Sequence, residues 1–409
     1  MKEIELPGAA TLQTALRSTT DRLAAELASP VPVAPAWNDF EWRAAMAVSV
    51  MHGISGLLAG RLMWGGPPHW QAFLAEQADQ GRRREARVRA LLAQLHHSAA
   101  AAGLPLLGLK GSALLQLDVY APGERPMSDV DLLAHPRDMD AADRLITATG
   151  YAAGIGKRRH IAYEPLQQRA DRAFGEHEDN PIKIELHGAV REPLPVREID
   201  ITTGLASRDA QPGLNSYGSP AVLMRHLLLH TAGNLCNRSV RLIQLHDIAA
   251  LGARLNKADW AEALAPASDG RAAWWAVPPL ALAQRLFPGR LPPAAAAALA
   301  ACPPWLRRAS AGYQLADVSL SRLGIPLLPG LEWSRGPADA LGLAWLRLHP
   351  QEQAITAQIV PRQHSLAGSA WTRQPHWRKA MSFLLGTPPR AQTLYSVHRA
   401  LAYRPASSA

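Results

Sequence analysis

Two short segments of this chain alternate apolar and polar side chains with a period of two, and both carry carboxylates on the polar side. In DVDLL, Asp129 and Asp131 project together while Val130 and Leu132 project the other way. In PIKIELHG, Ile182, Ile184 and Leu186 make one face, and Lys183, Glu185 and His187 make the other. That period marks β-strands, and the apolar side of each must be buried. The surrounding segments supply partners. LPLLGLK, from Leu104, reads as a strand, and GSALLQLD as a helix opening at Gly111. VYAPGERPMS is a loop, PRDMDAADRLITATG a helix closed by Gly150, and RHIAYE a further strand. This order predicts a small mixed α/β unit over residues 101–190.

The flanks have a different rhythm. Residues 1–100 read as a helical region. It contains one helix through WRAAMAVSVMHGISGLLAGRL and another in which Val88, Leu91, Leu92 and Leu95 recur at helical spacing, with Gly65, Gly66, Pro67 and Pro68 between them. Residues 191–290 are expected to form a second helical region on the substrate side, and 291–409 a mostly helical region punctuated by prolines. The predicted fold class is therefore α+β, a small mixed sheet flanked by helices.

If the two acidic strands are neighbours, three carboxylates converge. Two like charges about 4 Å apart repel by roughly 4 kcal/mol at an effective dielectric near 20. A proton or a cation must offset that, and an oxygen-rich cluster suits Mg²⁺ or Mn²⁺. Two such ions about 3.5–4 Å apart would clamp the attacking and leaving oxygens of a phosphoryl displacement. Gly111 lets backbone approach a phosphate, Ser112 adds a hydroxyl, and Lys110 and Arg125 are cations suited to triphosphate charge.

Bulk properties limit the alternatives. A hydrophobic content of 48% with 19% charged residues describes a folded protein. The formal charge of +9 points to an anionic partner, which a nucleotide satisfies; nucleic acid is possible but not favoured. Cys236 and Cys302 are the two cysteines, too few for a disulfide framework, which favours a reducing compartment. The first residues lack a secretory pattern, and no apolar run reaches membrane-spanning length, so a cytoplasmic location without a membrane partner is expected.

The Gly-Ser turn, the D-x-D pair and the distal acid together resemble the nucleotidyltransferase superfamily of DNA polymerase beta. More narrowly, LKGSALLQLDVYAPGERPMSDVDLL, ATGY, IELHGAV and LLLHTAGNL…LHDIAAL…DW resemble a family of uncharacterised bacterial nucleotidyltransferases, over roughly residues 40–265. That family carries an LKG turn, an R-x-x-S-D-x-D-L motif, met here by Arg125, Ser128, Asp129 and Asp131, and an E-L-H strand. The resemblance implies that Asp129 and Asp131 bind both metals and that Glu185 completes the site and helps activate an acceptor hydroxyl. Gly111 and Ser112 would hold the triphosphate, with Lys110, Arg125 and Ser128 near the nucleotide. The expected reaction moves a nucleoside monophosphate from an NTP to a hydroxyl acceptor, a small molecule, a peptide or protein, or an RNA end. The interval from Gly111 to Asp129 is longer than in most of the superfamily, though it suits this family.

Two other readings follow from other residues. His226 and His230 are one helical turn apart, and His246 is followed by Asp247, which resembles the ligand set of HD-type metal phosphohydrolases. The favoured reading places these histidines, hydrogen-bonded, between the helical and α/β regions. A catalytically silent nucleotide-binding protein is the other alternative. The basic runs GRRREARVR and GKRRH read more readily as solvated faces than as an RNA rim. The twelve tryptophans read as core anchors.

Overall fold

The computed structural model describes residues 6–154, 160–167, 173–195, 197–206, 209–266, 272–288, 296–326, 328–334, 336–348 and 387–405. Four helices come first: α1 (Ala9–Ala28), α2 (Asp39–His52), α3 (Ser55–Arg61) and α4 (Pro68–Ala101). Asn38 caps α2, its side chain accepting from the Glu41 N–H while the Glu41 carboxylate accepts from the Asn38 N–H. Sequence periodicity predicts one helix across α2 and α3, but the chain breaks at Gly53, whose φ of 67° is left-handed. A side chain there would also run into the Arg241 guanidinium.

The α/β unit follows as β1 (Pro105–Gly108), α5 (Gly111–Gln116), β2 (Asp129–Leu133), α6 (Met139–Ala148), β3 (Tyr151–Ala153), β4 (His160–Pro165) and β5 (Lys183–His187). β6 (Arg191–Leu194) and β7 (Arg197–Asp200) then form a separate two-stranded ribbon, and β8 (Gly213–Asn215) returns to the main sheet. Sheet order is β3-β4-β5-β2-β1-β8, with β2 parallel to β5, β1 parallel to β8, and the other pairs antiparallel. The fold class is the α+β arrangement expected. The sheet nevertheless draws its edge strand from residues 213–215, outside the predicted interval 101–190, and the ribbon lies where helix was expected. Both strands of that ribbon are short and charged, so neither shows the alternation that betrays a strand.

The apolar face of the sheet packs on α4 and α6. Val130, Leu132, Ile184, Leu186 and Tyr163 meet Val88, Leu92, Leu95, Ala142 and Ile146 in one buried cluster. With that face committed, the carboxylates of β2 and β5 must point to the opposite side. The remaining helices close that side: α7 (Pro220–Cys236), capped by the Ser219 hydroxyl, α8 (Leu242–Gly252), α9 (Lys257–Ala263) and α10 (Val277–Leu286). They share a second, larger core with α1 to α3, in which Trp42, Trp64 and Trp70 are buried against one another, as anchors rather than as a stacking platform. Shorter helices continue to Leu348, and a helix at Ala391–Ala402 packs back on α2. No described helix is long and apolar enough to cross a membrane.

Candidate active site

Strand register brings the acidic segments together. β2 and β5 run parallel with Asp129 opposite Lys183, Asp131 opposite Glu185 and Leu133 opposite His187. β1 runs antiparallel on the other side of β2, with Gly108 opposite Leu132, so the chain leaving β1 delivers the Lys110-Gly111-Ser112 turn beside the two aspartates.

The turn is held in an unusual conformation. Lys110 has φ 47° and ψ −108°, a strained combination for a residue with a side chain. Its N–H donates to the Tyr217 hydroxyl at 3.1 Å, and that hydroxyl lies 2.7 Å from His226 Nδ1. The Lys110 ammonium reaches Asp131 at 2.9 Å. Gly111 is needed for space: a Cβ there would sit 2.6 Å from Arg125 Nη1. Ser112 is fully buried, and its hydroxyl has no hydrogen-bond partner among the described residues. The helix that the turn opens is only six residues long, and the Ser112 N–H already donates to the Leu109 carbonyl, so its contribution to an anion cradle is smaller than the sequence suggests.

The carboxylates differ in their electrostatics. Burial alone would raise Asp131, but the Lys110 charge and a 3.1 Å hydrogen bond from His187 Nε2 hold it well below the usual carboxylate range. Asp129 is raised by burial and by the charge of Asp131. Glu185 is raised by burial and then by both aspartates. Mutual repulsion is thus relieved at Asp131 by Lys110 and His187, and left partly standing at the other two.

The remaining predicted residues have other employment. Arg125 makes a two-point ion pair with Asp247, Nε and Nη2 each at 2.8 Å from a carboxylate oxygen. Its charge lies beside the turn, while its direct partner is in α8. Ser128 is exposed, and its carbonyl accepts the Lys183 N–H. Arg241 was not anticipated from sequence. Its Nε donates to the Met51 carbonyl at 3.0 Å, and its charge lowers Asp129. His187 and His160 were not assigned roles either. Among the described residues, the donor group whose ligating atoms all meet within 4.8 Å is His160, Glu185 and His187, not a set of three carboxylates. The signal for His187 was its place on the polar face of IKIELH; His160 had none, because its partner strand was not assignable.

The other histidine set makes no metal arrangement among the described residues. His246 Nδ1 lies 2.9 Å from the Tyr120 hydroxyl and its Nε2 lies 2.9 Å from Arg61, while Asp247 accepts from Tyr120 at 2.7 Å as well as from Arg125. His226 is buried and His230 partly buried, and both are held below their ordinary values, by desolvation first and then by the Lys110 charge; His230 falls to about 3. They are neutral hydrogen-bonded residues facing the site, as the favoured sequence reading had them. The GRRREARVR run is likewise structural. Arg84 is 4% exposed and donates to the carbonyls of Met127 (3.0 Å), Pro181 (3.0 Å), His177 (3.3 Å) and Asn180, which ties the loop before β5 to α4. Of GKRRH, only His160 falls within the described residues.

Carboxylate oxygens are the donors a hard divalent cation prefers, although Asp129, Asp131 and Glu185 do not meet as one ligand set among the described residues. Asp131 stands in register with Glu185, with Asp129 two residues before it, the Ser112 hydroxyl is buried without a partner among the described residues, and a side chain at Gly111 would displace Arg125. No curated protein and no solved structure is detectably similar to the chain. A family model described as "Uncharacterised nucleotidyltransferase" matches residues 38–288, which takes in the whole sheet and helices α2 to α10. The chain belongs to that nucleotidyltransferase family and is a transferase of that kind.

Proposed function

We propose that the protein transfers a nucleoside monophosphate from an NTP to a hydroxyl acceptor and releases pyrophosphate. The observation that carries this reading is the pairing of Asp131 with Glu185 on adjacent parallel strands, beside the Lys110-Gly111-Ser112 turn. Asp129, Asp131 and Glu185 would hold Mg²⁺ or Mn²⁺, which would neutralise triphosphate charge and polarise the reacting phosphoryl oxygens when bound. The chain's own residues do the rest. Lys110, now paired with Asp131, is a cation within reach of a polyphosphate. The Ser112 hydroxyl is a donor without a competing partner among the described residues. Arg241 and Arg125 add positive charge around Asp129. Glu185, raised above its ordinary value by burial and by both aspartates, is suited to take a proton from the acceptor hydroxyl. Neutral His226 and His230 line the acceptor side.

The test is incubation of the protein with each labelled NTP, Mg²⁺ or Mn²⁺ and a cell extract, comparing wild type with Asp129→Asn/Asp131→Asn. Label transfer and pyrophosphate release are expected in wild type and a loss of at least a hundredfold in the double variant. Transfer that survives the double substitution would remove the reading.

A further inference from the structure

The polar face of the sheet continues past the carboxylate pair into β4. His160 pairs directly with His187 across the antiparallel β4–β5 ladder, and Ala162 pairs with Glu185. Directly paired side chains on one face stand about 5 Å apart at Cβ. The small Ala162 leaves room over the strand beside Glu185. One step further along, Lys183 and Glu164 neutralise each other, which bounds the cluster. His160 Nε2 lies 3.3 Å from Glu185 Oε2, His187 Nε2 lies 3.9 Å from the same oxygen, and the imidazole centroids are 5.0 Å apart. Donors on one first-row cation, each about 2.1 Å from the metal, lie roughly 3 Å apart when adjacent and about 4.2 Å apart when opposite. The two nitrogen–oxygen separations fall in that interval, and all three donor atoms lie within 4.8 Å of one another. Side-chain exposures of 13%, 14% and 20% place the group just beneath the surface, with the His160 Nε2 itself closed to solvent.

We propose that His160, Glu185 and His187 form a second cation site for a first-row transition metal of the Mn²⁺, Co²⁺ or Zn²⁺ kind, distinct from the aspartate pair. Two imidazoles and one carboxylate favour such borderline cations over Mg²⁺, which prefers oxygen and keeps its waters. Strand register places the three side chains side by side on one face of β4 and β5. Metal binding through His187 Nε2 exchanges its hydrogen bond to Asp131 for a metal bond, and Asp131 then relies on Lys110. The ion also holds Glu185 as a carboxylate and fixes β4 at the rim of the active site. This inference shares the strand pairing and Glu185 with the transferase reading, while its two imidazole donors are its own.

The experiment titrates Co²⁺ into the full-length protein with millimolar Mg²⁺ throughout, following visible absorption. One equivalent should bind in wild type and in Asp129→Asn/Asp131→Asn, and affinity should fall at least tenfold in His160→Ala. Binding abolished by the aspartate double variant, or unchanged in His160→Ala, overturns the proposal. A readout on the unaltered protein covers misfolding of the variants: spin-echo spectra of bound Mn²⁺ should show imidazole nitrogen coupling, and its absence also overturns the site. Wild type that binds Co²⁺ in this way but transfers no nucleotide would sink the transferase reading alone.

Discussion

Asp129 and Asp131 are two residues apart on one strand, and their surroundings push them in opposite directions. Asp131, held low by Lys110 and His187, contributes stability that is present above the ordinary carboxylate range and is lost as acid protonates it. Asp129, held high by burial and by Asp131, favours its protonated form, so its charge at neutral pH costs stability. Asp131→Asn should therefore destabilise the fold at pH 7 by roughly 3–5 kcal/mol, the cost of stranding a buried partner. Asp129→Asn should leave the melting temperature unchanged or raise it, while both should abolish the proposed transfer. Equal losses of stability in urea titrations of the two variants would contradict this. Ser112 gives a second contrast. Its hydroxyl is buried without a partner among the described residues, so Ser112→Ala should keep or slightly raise stability. A donor to a charged phosphate contributes about 1.5–3 kcal/mol, so kcat/KM for NTP should fall by about tenfold or more in steady-state kinetics.

At the scale of elements, the site depends on a loop being fastened to a long helix. α4 spans 34 residues, roughly 50 Å, and reaches both segments that precede the acidic strands. Its Glu85 accepts the Gly123 N–H at 2.7 Å, and Gly81 leaves space for the Gly123 carbonyl. Arg84 fastens Met127 before β2 and residues 177–181 before β5. Arg84→Met would leave several carbonyls unsatisfied, at about 1–3 kcal/mol for a buried group. The expected result is faster hydrogen exchange in residues 173–187 and a fall in activity, while exchange in α7 is unaltered. Exchange slowed or unchanged in 173–187 would show that the register of β5 does not depend on this residue. The neighbouring arginines of the same run behave as solvated ion pairs, Arg83 with Asp79 and Glu178, and Arg89 with Glu85 and Asp118. A charge run in sequence thus hides one buried tie among exposed members.

For the whole molecule, the helices on both sides bury one face of the acidic strands and roof the other. The described C-terminal residues take part: Arg43 donates to the Tyr403 carbonyl at 2.9 Å, and the Tyr403 ring packs edge-on to Phe73 at 5.5 Å. Nucleotide binding should be visible as a property of the entire fold. An NTP with Mg²⁺ at a hundred times its dissociation constant should stabilise wild type by about 2.7 kcal/mol. A thermal-shift measurement should detect this in wild type and not in Asp129→Asn/Asp131→Asn. Activity should also fall on the acid side at a pH above the ordinary carboxylate range, because Asp129 and Glu185 are both raised. A kcat/KM profile with its acid limb at or below that range would exclude the raised carboxylates as participants.

Sequence alone determined what alternation and spacing can carry: the strands around Asp129 and Glu185, the helices between them, and the side of each strand that bears charge. These are local properties, written in periods of two and 3.6 residues. Tertiary structure decided what depends on which distant segments meet. It placed Glu185 opposite Asp131, paired His160 of β4 with His187, turned Arg125 onto Asp247, and added β8 to the sheet edge. Pairing between strands is a choice among many partners made by burial of the whole core, and no single segment encodes it.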